Sequence, residues 1–133
     1  MIYFLDTNIC SYYLKGKYEK LFYKIQSQQP ANLKIPSIVK AELYYGAEKG
    51  SNPDKTKKII FDFLLPFEII PFGNDESIVY SKIRAGLEKK GRIIGPNDLI
   101  IASIVIANNG VLITNNEKEF KNVSELKIQN WTK

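Results

Sequence analysis

The chain of 133 residues contains no histidine and only one cysteine, Cys10. The lack of histidine excludes histidine general bases, Ser-His and Cys-His nucleophile pairs, and histidine-ligated zinc. A single cysteine allows neither an intrachain disulfide nor a thiolate metal cluster, and its place after the first strand predicts a buried structural thiol. Any enzymatic chemistry of this chain therefore rests on carboxylates, lysines, hydroxyls or a hard metal ion.

Long apolar runs are also missing. No stretch approaches the roughly 18 residues that a membrane-spanning helix needs. The amino terminus has no basic segment before its apolar residues, as a signal peptide would have. These absences predict a cytoplasmic protein without membrane contact, and the length suits one domain over residues 1–133. The net charge of +5 favours a polyanionic partner such as nucleic acid.

Strand and helix patterns alternate along the chain. Short apolar runs predict buried strands at residues 2–5, 33–35, 67–71, 111–114 and 126–128. Helical spacing and boundary residues predict helices at residues 8–14, 17–28, 37–49, 54–65, 75–90, 96–107 and 117–120. This alternation predicts an α/β fold, a three-layer α/β/α sandwich around a short, mostly parallel central sheet.

Three carboxylates stand where such a fold brings strand ends and helix starts to one edge. Asp6 ends the first strand, and Asp98 opens a helix that is apolar nearly all round. Glu42 falls inside the apolar stripe of its helix, where an unpaired charge is costly. The residues of that predicted stripe are Ile38, Ala41 and Tyr45, with Val39, Leu43 and Gly46 beside it. Crowded carboxylates with oxygen ligands only would select Mg²⁺ or Mn²⁺.

Each of these acids also has a structural interpretation. Asp6 and Asp98 lie at helix starts, where carboxylates cap the helix or interact with its dipole. Glu42 could pair with a lysine, or its helix could be rotated so that the side chain is exposed. Taken singly these interpretations are reasonable, and the grouping of the three acids favours a metal site.

Four segments carry a resemblance to a known family. They are Leu5-Asp6-Thr7-Asn8, Ala41-Glu42-Leu43-Tyr44-Tyr45-Gly46, Ile94-Gly95-Pro96-Asn97-Asp98-Leu99-Ile100-Ile101-Ala102, and Leu112-Ile113-Thr114-Asn115-Asn116 with Glu119-Phe120. In this order and spacing, and with a similar last strand near residues 126–131, the chain resembles the PIN-domain endoribonucleases, specifically the VapC-type toxins of prokaryotic toxin–antitoxin modules.

The resemblance implies that Asp6, Glu42 and Asp98 are catalytic acids that bind Mg²⁺ or Mn²⁺. Many PIN domains carry a fourth acid shortly after the strand that precedes residue 115. This chain has asparagines there, so the predicted fourth catalytic acid is Glu119, with Asn116 as the polar alternative. The residues predicted to position water or phosphate oxygens are Thr7, Asn8, Thr114, Asn115 and Asn116.

The resemblance further implies a toxin of a type II toxin–antitoxin system that hydrolyses RNA by metal-activated water. Such cleavage leaves 5′-phosphate and 3′-hydroxyl ends. The implied partners are RNA, a cognate VapB-type antitoxin that fills the acidic groove, and a second copy of the chain. The homodimer would use the apolar faces of the early helices and would join a higher-order toxin–antitoxin complex.

Basic residues near the predicted site form a candidate track for RNA phosphates, which give affinity without sequence information. Those before the Asp98 segment are Lys82, Arg84, Lys89, Lys90 and Arg92, and those after the first segment are Lys15 and Lys17. The alternative interpretation of these charges is a solvated surface.

Two other classes of function stay open. A catalytically inactive PIN-like module would bind RNA without cleaving it. A phosphotransfer α/β domain would use Asp6 as its phosphate acceptor, but no glycine-rich phosphate loop is present. Asn8 also stands where such a domain would carry a second aspartate.

Overall fold

The computed structural model describes residues 1–133 and contains one five-stranded parallel sheet flanked by helices. The strands are β1 (Tyr3–Leu5), β2 (Leu33–Pro36), β3 (Glu68–Ile70), β4 (Val111–Ile113) and β5 (Lys127–Gln129). The helices are α1 (Thr7–Lys15), α2 (Glu19–Gln26), α3 (Ser37–Lys49), α4 (Pro53–Leu64), α5 (Asn74–Lys89), α6 (Pro96–Ala107) and α7 (Glu117–Phe120), and a 3₁₀ turn covers Pro30–Asn32. The predicted α/β class is confirmed. None of these helices is both long enough and apolar enough to cross a bilayer.

The order of the strands creates a crevice beside β1. The sheet runs β3-β2-β1-β4-β5, so the chain moves outward from β1 to β3 and then crosses to the other side of β1. Parallel sheets bind ligands outside the strand carboxyl ends at such a change of direction. Leu5 pairs with Ile113 across β1 and β4. The next residues on these strands, Asp6 and Thr114, therefore start side by side at this crevice.

The core is built around α6 and the central strands. The buried side chains of α6 are Leu99, Ile101, Ala102, Ser103, Ile104 and Val105, which confirms the prediction of a buried helix. Phe4 and Leu112, on neighbouring strands, are fully buried. Cys10 is a fully buried free thiol, as predicted. Because α6 is buried along its length, its first turn holds Asp98 in a fixed position at the edge of the sheet.

Candidate active site

Asp6 ends β1 and caps α1. Its Oδ1 accepts a hydrogen bond from the Ile9 amide at 2.9 Å, and its own amide donates to the Ile113 carbonyl at 3.2 Å. The side chain is 5% exposed. Burial raises the pKa of Asp6 to about 6, although hydrogen bonds from Thr114 and Ile9 oppose the shift, and the nearby charge of Glu42 adds to it. Asp6 therefore caps α1, as predicted. Its pKa stays raised, so the hydrogen bonds that it accepts do not offset the cost of burying its charge.

Glu42 is half-buried on α3, and its two carboxylate oxygens are held by different segments. The Thr7 hydroxyl donates a short hydrogen bond to Oε1. The Asn97 side-chain amide donates to Oε2 at 3.0 Å. Thr7 follows Asp6 and Asn97 precedes Asp98, so Glu42 connects the two segments that carry the other predicted acids.

The predicted stripe of Ile38, Ala41 and Tyr45 is not the buried face of α3, whereas Val39 and Leu43, predicted beside it, are buried. Ala41 and Tyr45 are exposed, and Ile38 is only half-buried. The side chains that face the core are Val39, Leu43 and Ala47. These residues recur every fourth position and so form one row along the helix. The sequence also contains an adjacent apolar row, and the packing of the whole helix decides which of the two rows is buried. Glu42 therefore lies at the border of the core, and the alternative of a lysine salt bridge is also wrong.

Asp98 is half-buried in the first turn of α6. The cap position of this helix is Gly95, so the capping interpretation of Asp98 is wrong. Burial raises the pKa of Asp98 to about 6, and the charges of Glu119, Asp6 and Glu42 contribute in that order. All four predicted acids thus share one electrostatic environment at the carboxyl edge of the sheet.

Glu119 reaches this environment from the short helix α7. Its Oε1 accepts a hydrogen bond from the Gly95 amide at 2.5 Å, and its Oε2 accepts one from the Asn116 side chain at 2.9 Å. A Cβ built on Gly95 would lie 3.6 Å from Glu119 Oε1 and 3.7 Å from Asp98 Oδ2. Of the two candidates for the fourth position, Glu119 therefore brings a carboxylate beside Asp98, and Asn116 holds that carboxylate.

The remaining predicted polar residues have separate roles in the structure. Thr114 is fully buried, and its hydroxyl oxygen accepts a hydrogen bond from the Asn116 amide at 2.9 Å. The Asn115 side chain donates to the Tyr12 hydroxyl at 3.3 Å. Asn8 is exposed on the first turn of α1. The structure thus brings Thr114 and Asn116 to the acids and turns Asn115 towards α1.

The donor set fits a hard divalent cation. The four acids offer only oxygen atoms, and the raised pKa values of Asp6 and Asp98 mark negative charge that a cation would relieve. No three of the acidic side chains are close enough to hold one ion together. Mg²⁺ is usually held by one or two carboxylates, with water and substrate phosphate completing its octahedral shell. Two of these carboxylates at a time would therefore be enough to bind Mg²⁺.

The basic residues predicted to contact RNA lie on α5 and the loop after it. Lys82 and Lys89 are exposed. Arg84 and Arg92 line one cavity of about 350 Å³ that reaches Pro96 in the first turn of α6. Both arginines are held by hydrogen bonds to neighbouring side chains. Of the predicted track, Arg84 and Arg92 therefore lie beside the helix that carries Asp98.

Two residues of the site were not among those predicted. Asn97 orients Glu42, and the main-chain amide of Gly95 orients Glu119. Both fall inside the segment around Asp98 that carries the family resemblance, but their partners are distant in sequence. The only signal for them was their position shortly before Asp98.

Comparisons with known proteins find similar chains over nearly the whole length. The PIN domain family profile matches residues 3–126. Ribonuclease VapC2 of Rickettsia felis is 42% identical over 134 residues, covering 100% of both chains. The tRNA(fMet)-specific endonuclease VapC of Salmonella typhimurium is 32% identical, covering 97% of both. The crystal structure of VapBC2 from Rickettsia felis bound to a promoter DNA fragment contains a similar chain, with 40% identity, 98% and 99% coverage and a TM-score of 0.89.

Proposed function

The chain belongs to the PIN-domain family and, within it, to the VapC ribonuclease toxins of type II toxin–antitoxin systems, and we propose that it hydrolyses RNA with Mg²⁺ or Mn²⁺ bound by two carboxylates at a time from among Asp6, Asp98 and Glu42. The observation that carries this proposal is the shared environment of the acids at the carboxyl edge of β1. Two of them have a pKa raised to about 6 by burial and by neighbouring negative charge.

The chain's own residues divide the work of the reaction. When bound, the metal supplies positive charge to the scissile phosphate and lowers the pKa of water. Glu42, fixed by Thr7 and Asn97, orients the attacking water. Glu119 completes the acidic site beside Asp98. The hydrogen bonds that hold the carboxylates of Glu42 and Glu119 in place support these roles.

The proposed protein partner is a VapB-type antitoxin. A cavity of about 260 Å³ beside the site is lined by Thr7, Glu42 and Lys15 and by apolar residues. The apolar lining includes Leu14, Ile59 and Ile60. An antitoxin segment that carries a basic side chain among apolar ones would match the Glu42 carboxylate and this apolar lining. The Rickettsia felis structure is of VapBC2 bound to a DNA fragment from the promoter, and this supports a higher-order complex here.

We further propose a homodimer through the early helices. Phe22 is 37% exposed and Tyr23 is 61% exposed, and both lie on α2. Apolar and aromatic side chains of this size are enriched at protein interfaces. We also propose that the protein acts in the cytoplasm, because its proposed substrate is RNA.

The proposed function is tested by cleavage of purified RNA. Initiator tRNA is the first substrate, because the Salmonella typhimurium relative is named a tRNA(fMet)-specific endonuclease. Wild type and Asp6→Asn are compared with Mg²⁺, with Mn²⁺ and with EDTA, and the RNA ends are mapped by sequencing. The asparagine introduced by this substitution keeps an oxygen for the Ile9 amide, so the fold is preserved.

We expect wild type to cleave only with metal, leaving 5′-phosphate and 3′-hydroxyl ends, and Asp6→Asn to be inactive. A 2′,3′-cyclic phosphate product would contradict metal-assisted hydrolysis, because it reports attack by the ribose 2′-hydroxyl. Equal cleavage by the two proteins would contradict the proposed site. RNA binding without cleavage by wild type would favour the inactive module. The phosphotransfer alternative is wrong, because the chain belongs to a ribonuclease family.

A further inference from the structure

Lys17 follows α1, and its ammonium group rests on two tyrosine rings. The Lys17 Nζ lies 4.7 Å from the centroid of the Tyr12 ring and 5.4 Å from that of Tyr18. The two rings meet edge to face with centroids 5.2 Å apart. The Lys17 amide also donates to the Tyr12 carbonyl at 3.0 Å. No other lysine or arginine of the chain contacts two rings.

This ammonium group is ordered but not neutralised. Lys17 is exposed and forms no salt bridge. Cation–π contacts attract the ammonium group to the ring faces and restrain the side chain. The ammonium N–H donors that point away from the rings stay free for an anion. The structure therefore holds a positive charge in one place without a carboxylate to balance it.

Tyr12 connects Lys17 to the active site. Its hydroxyl accepts a hydrogen bond from the Asn115 side chain at 3.3 Å. Asn115 directly follows Thr114, which is hydrogen-bonded to Asp6. Helical side chains lean towards the amino end of their helix, and the amino end of α1 is capped by Asp6. Through Asn115, the Tyr12 ring on which Lys17 rests thus reaches the loop after β4, on the α1 side of the acidic crevice.

We propose that Lys17 binds a backbone phosphate of the RNA whose scissile bond lies at the acids, and that Tyr12 and Tyr18 fix its position for this contact. The inference rests on the proposed ribonuclease function and deepens it by naming an RNA contact outside the acids. Lysine–phosphate contacts set affinity and register independently of sequence. Lys17 therefore contributes to the KM of RNA cleavage and not to kcat.

The test measures RNA binding without cleavage. In the Asp6→Asn background, binding of a fluorescein-labelled oligouridylate is followed by fluorescence anisotropy at several salt concentrations. Lys17→Met removes the charge and keeps the length of the side chain, and Lys17→Arg keeps the charge. Lys20→Met is the matched control, because Lys20 is exposed on the next helix and contacts no ring. A further variant, Tyr18→Leu, removes one ring without changing the charge.

We expect Lys17→Met to raise Kd severalfold and to reduce the slope of log K against log salt by about 0.7, the value for one phosphate contact on a single strand. Lys17→Arg should restore the slope, Lys20→Met should leave it unchanged, and Tyr18→Leu should weaken binding. Equal slopes for Lys17→Met and its parent, or equal losses for Lys17→Met and Lys20→Met, would overturn the proposal. Failure of wild type to cleave RNA would instead contradict the proposed function, because the binding assay does not depend on cleavage.

Discussion

The Glu119 carboxylate accepts a hydrogen bond from the amide of Gly95, the cap residue of α6. This contact ties the short helix α7 to the turn that carries Asp98. Among the neighbouring charges, Glu119 makes the largest contribution to the raised pKa of Asp98. The proposed fourth acid of the site therefore lies on helix α7 and not among the residues that directly follow β4.

Glu119→Gln tests this assignment against Asn116. The variant removes the charge beside Asp98 and keeps the size of the side chain. We expect kcat/KM for RNA cleavage to fall about 10- to 100-fold, the usual range for losing a group that supports a metal site. Asn116→Ala should cost less, because Asn116 only donates to Glu119. A larger loss for Asn116→Ala than for Glu119→Gln would make Asn116 the functional residue at this position.

Thr7→Val tests whether Glu42 must be held in place. Valine keeps the branched shape of threonine but cannot donate to Glu42 Oε1. We expect kcat/KM to fall about tenfold and the affinity for Mn²⁺ to fall with it. Thr7→Ser keeps the hydroxyl and should stay near wild type. If Thr7→Val and Thr7→Ser behave alike, the hydroxyl has no part in the reaction.

The helix α6 shows how much of the site could be predicted. An apolar run on all sides of a helix indicates burial, and Pro96 marks its first turn. These two local signals placed Asp98 at the sheet edge and gave the helix its bounds, residues 96–107. Asp6 was predicted in the same way, since a short apolar run that stops at a carboxylate indicates the end of a buried strand.

The surroundings of Glu42 could not be predicted in the same way. Its row on α3 competes with a second apolar row, and only the packing of the whole helix decides which row is buried. Its hydrogen-bond partners, Thr7 and Asn97, are 35 and 55 residues away in sequence. Periodicity reports local burial and contains no information about contacts over such separations. The apolar stripe singled out Glu42 and the family resemblance implied its role, but neither explained how its side chain is held.

Asp6→Asn should stabilise the metal-free protein at neutral pH while it abolishes cleavage. The pKa of Asp6 is raised from 3.8 to about 6, so the folded state favours the protonated form. The stability that this group contributes is complete below pH ~4 and is lost as the pH rises through about 6. At about pH 8 the variant should therefore exceed wild type by about 2–3 kcal/mol in free energy of unfolding.

Urea unfolding in EDTA at about pH 4 and about pH 8 measures this difference. The two proteins should be close in stability at the acidic pH, which serves as the internal control, and should diverge at the alkaline pH. A constant difference between them at both values would show that Asp6 carries no unfavourable charge in the folded protein.

Gly110→Ala should destabilise the fold, because Gly110 allows the start of β4 to lie against the core. A Cβ on this residue would stand 2.5 Å from Cδ1 and Cε1 of Phe4, and Phe4 is fully buried on β1. Overpacking of this kind costs about 1–3 kcal/mol. Gly86→Ala on α5 is the matched control, because its Cβ would meet nothing within 4 Å and alanine favours a helix by roughly 0.5–1 kcal/mol. Urea unfolding should therefore move in opposite directions for the two variants. Equal stability of Gly110→Ala and wild type would mean that the Phe4 ring yields, and that the alignment of β4 with β1 does not depend on this glycine.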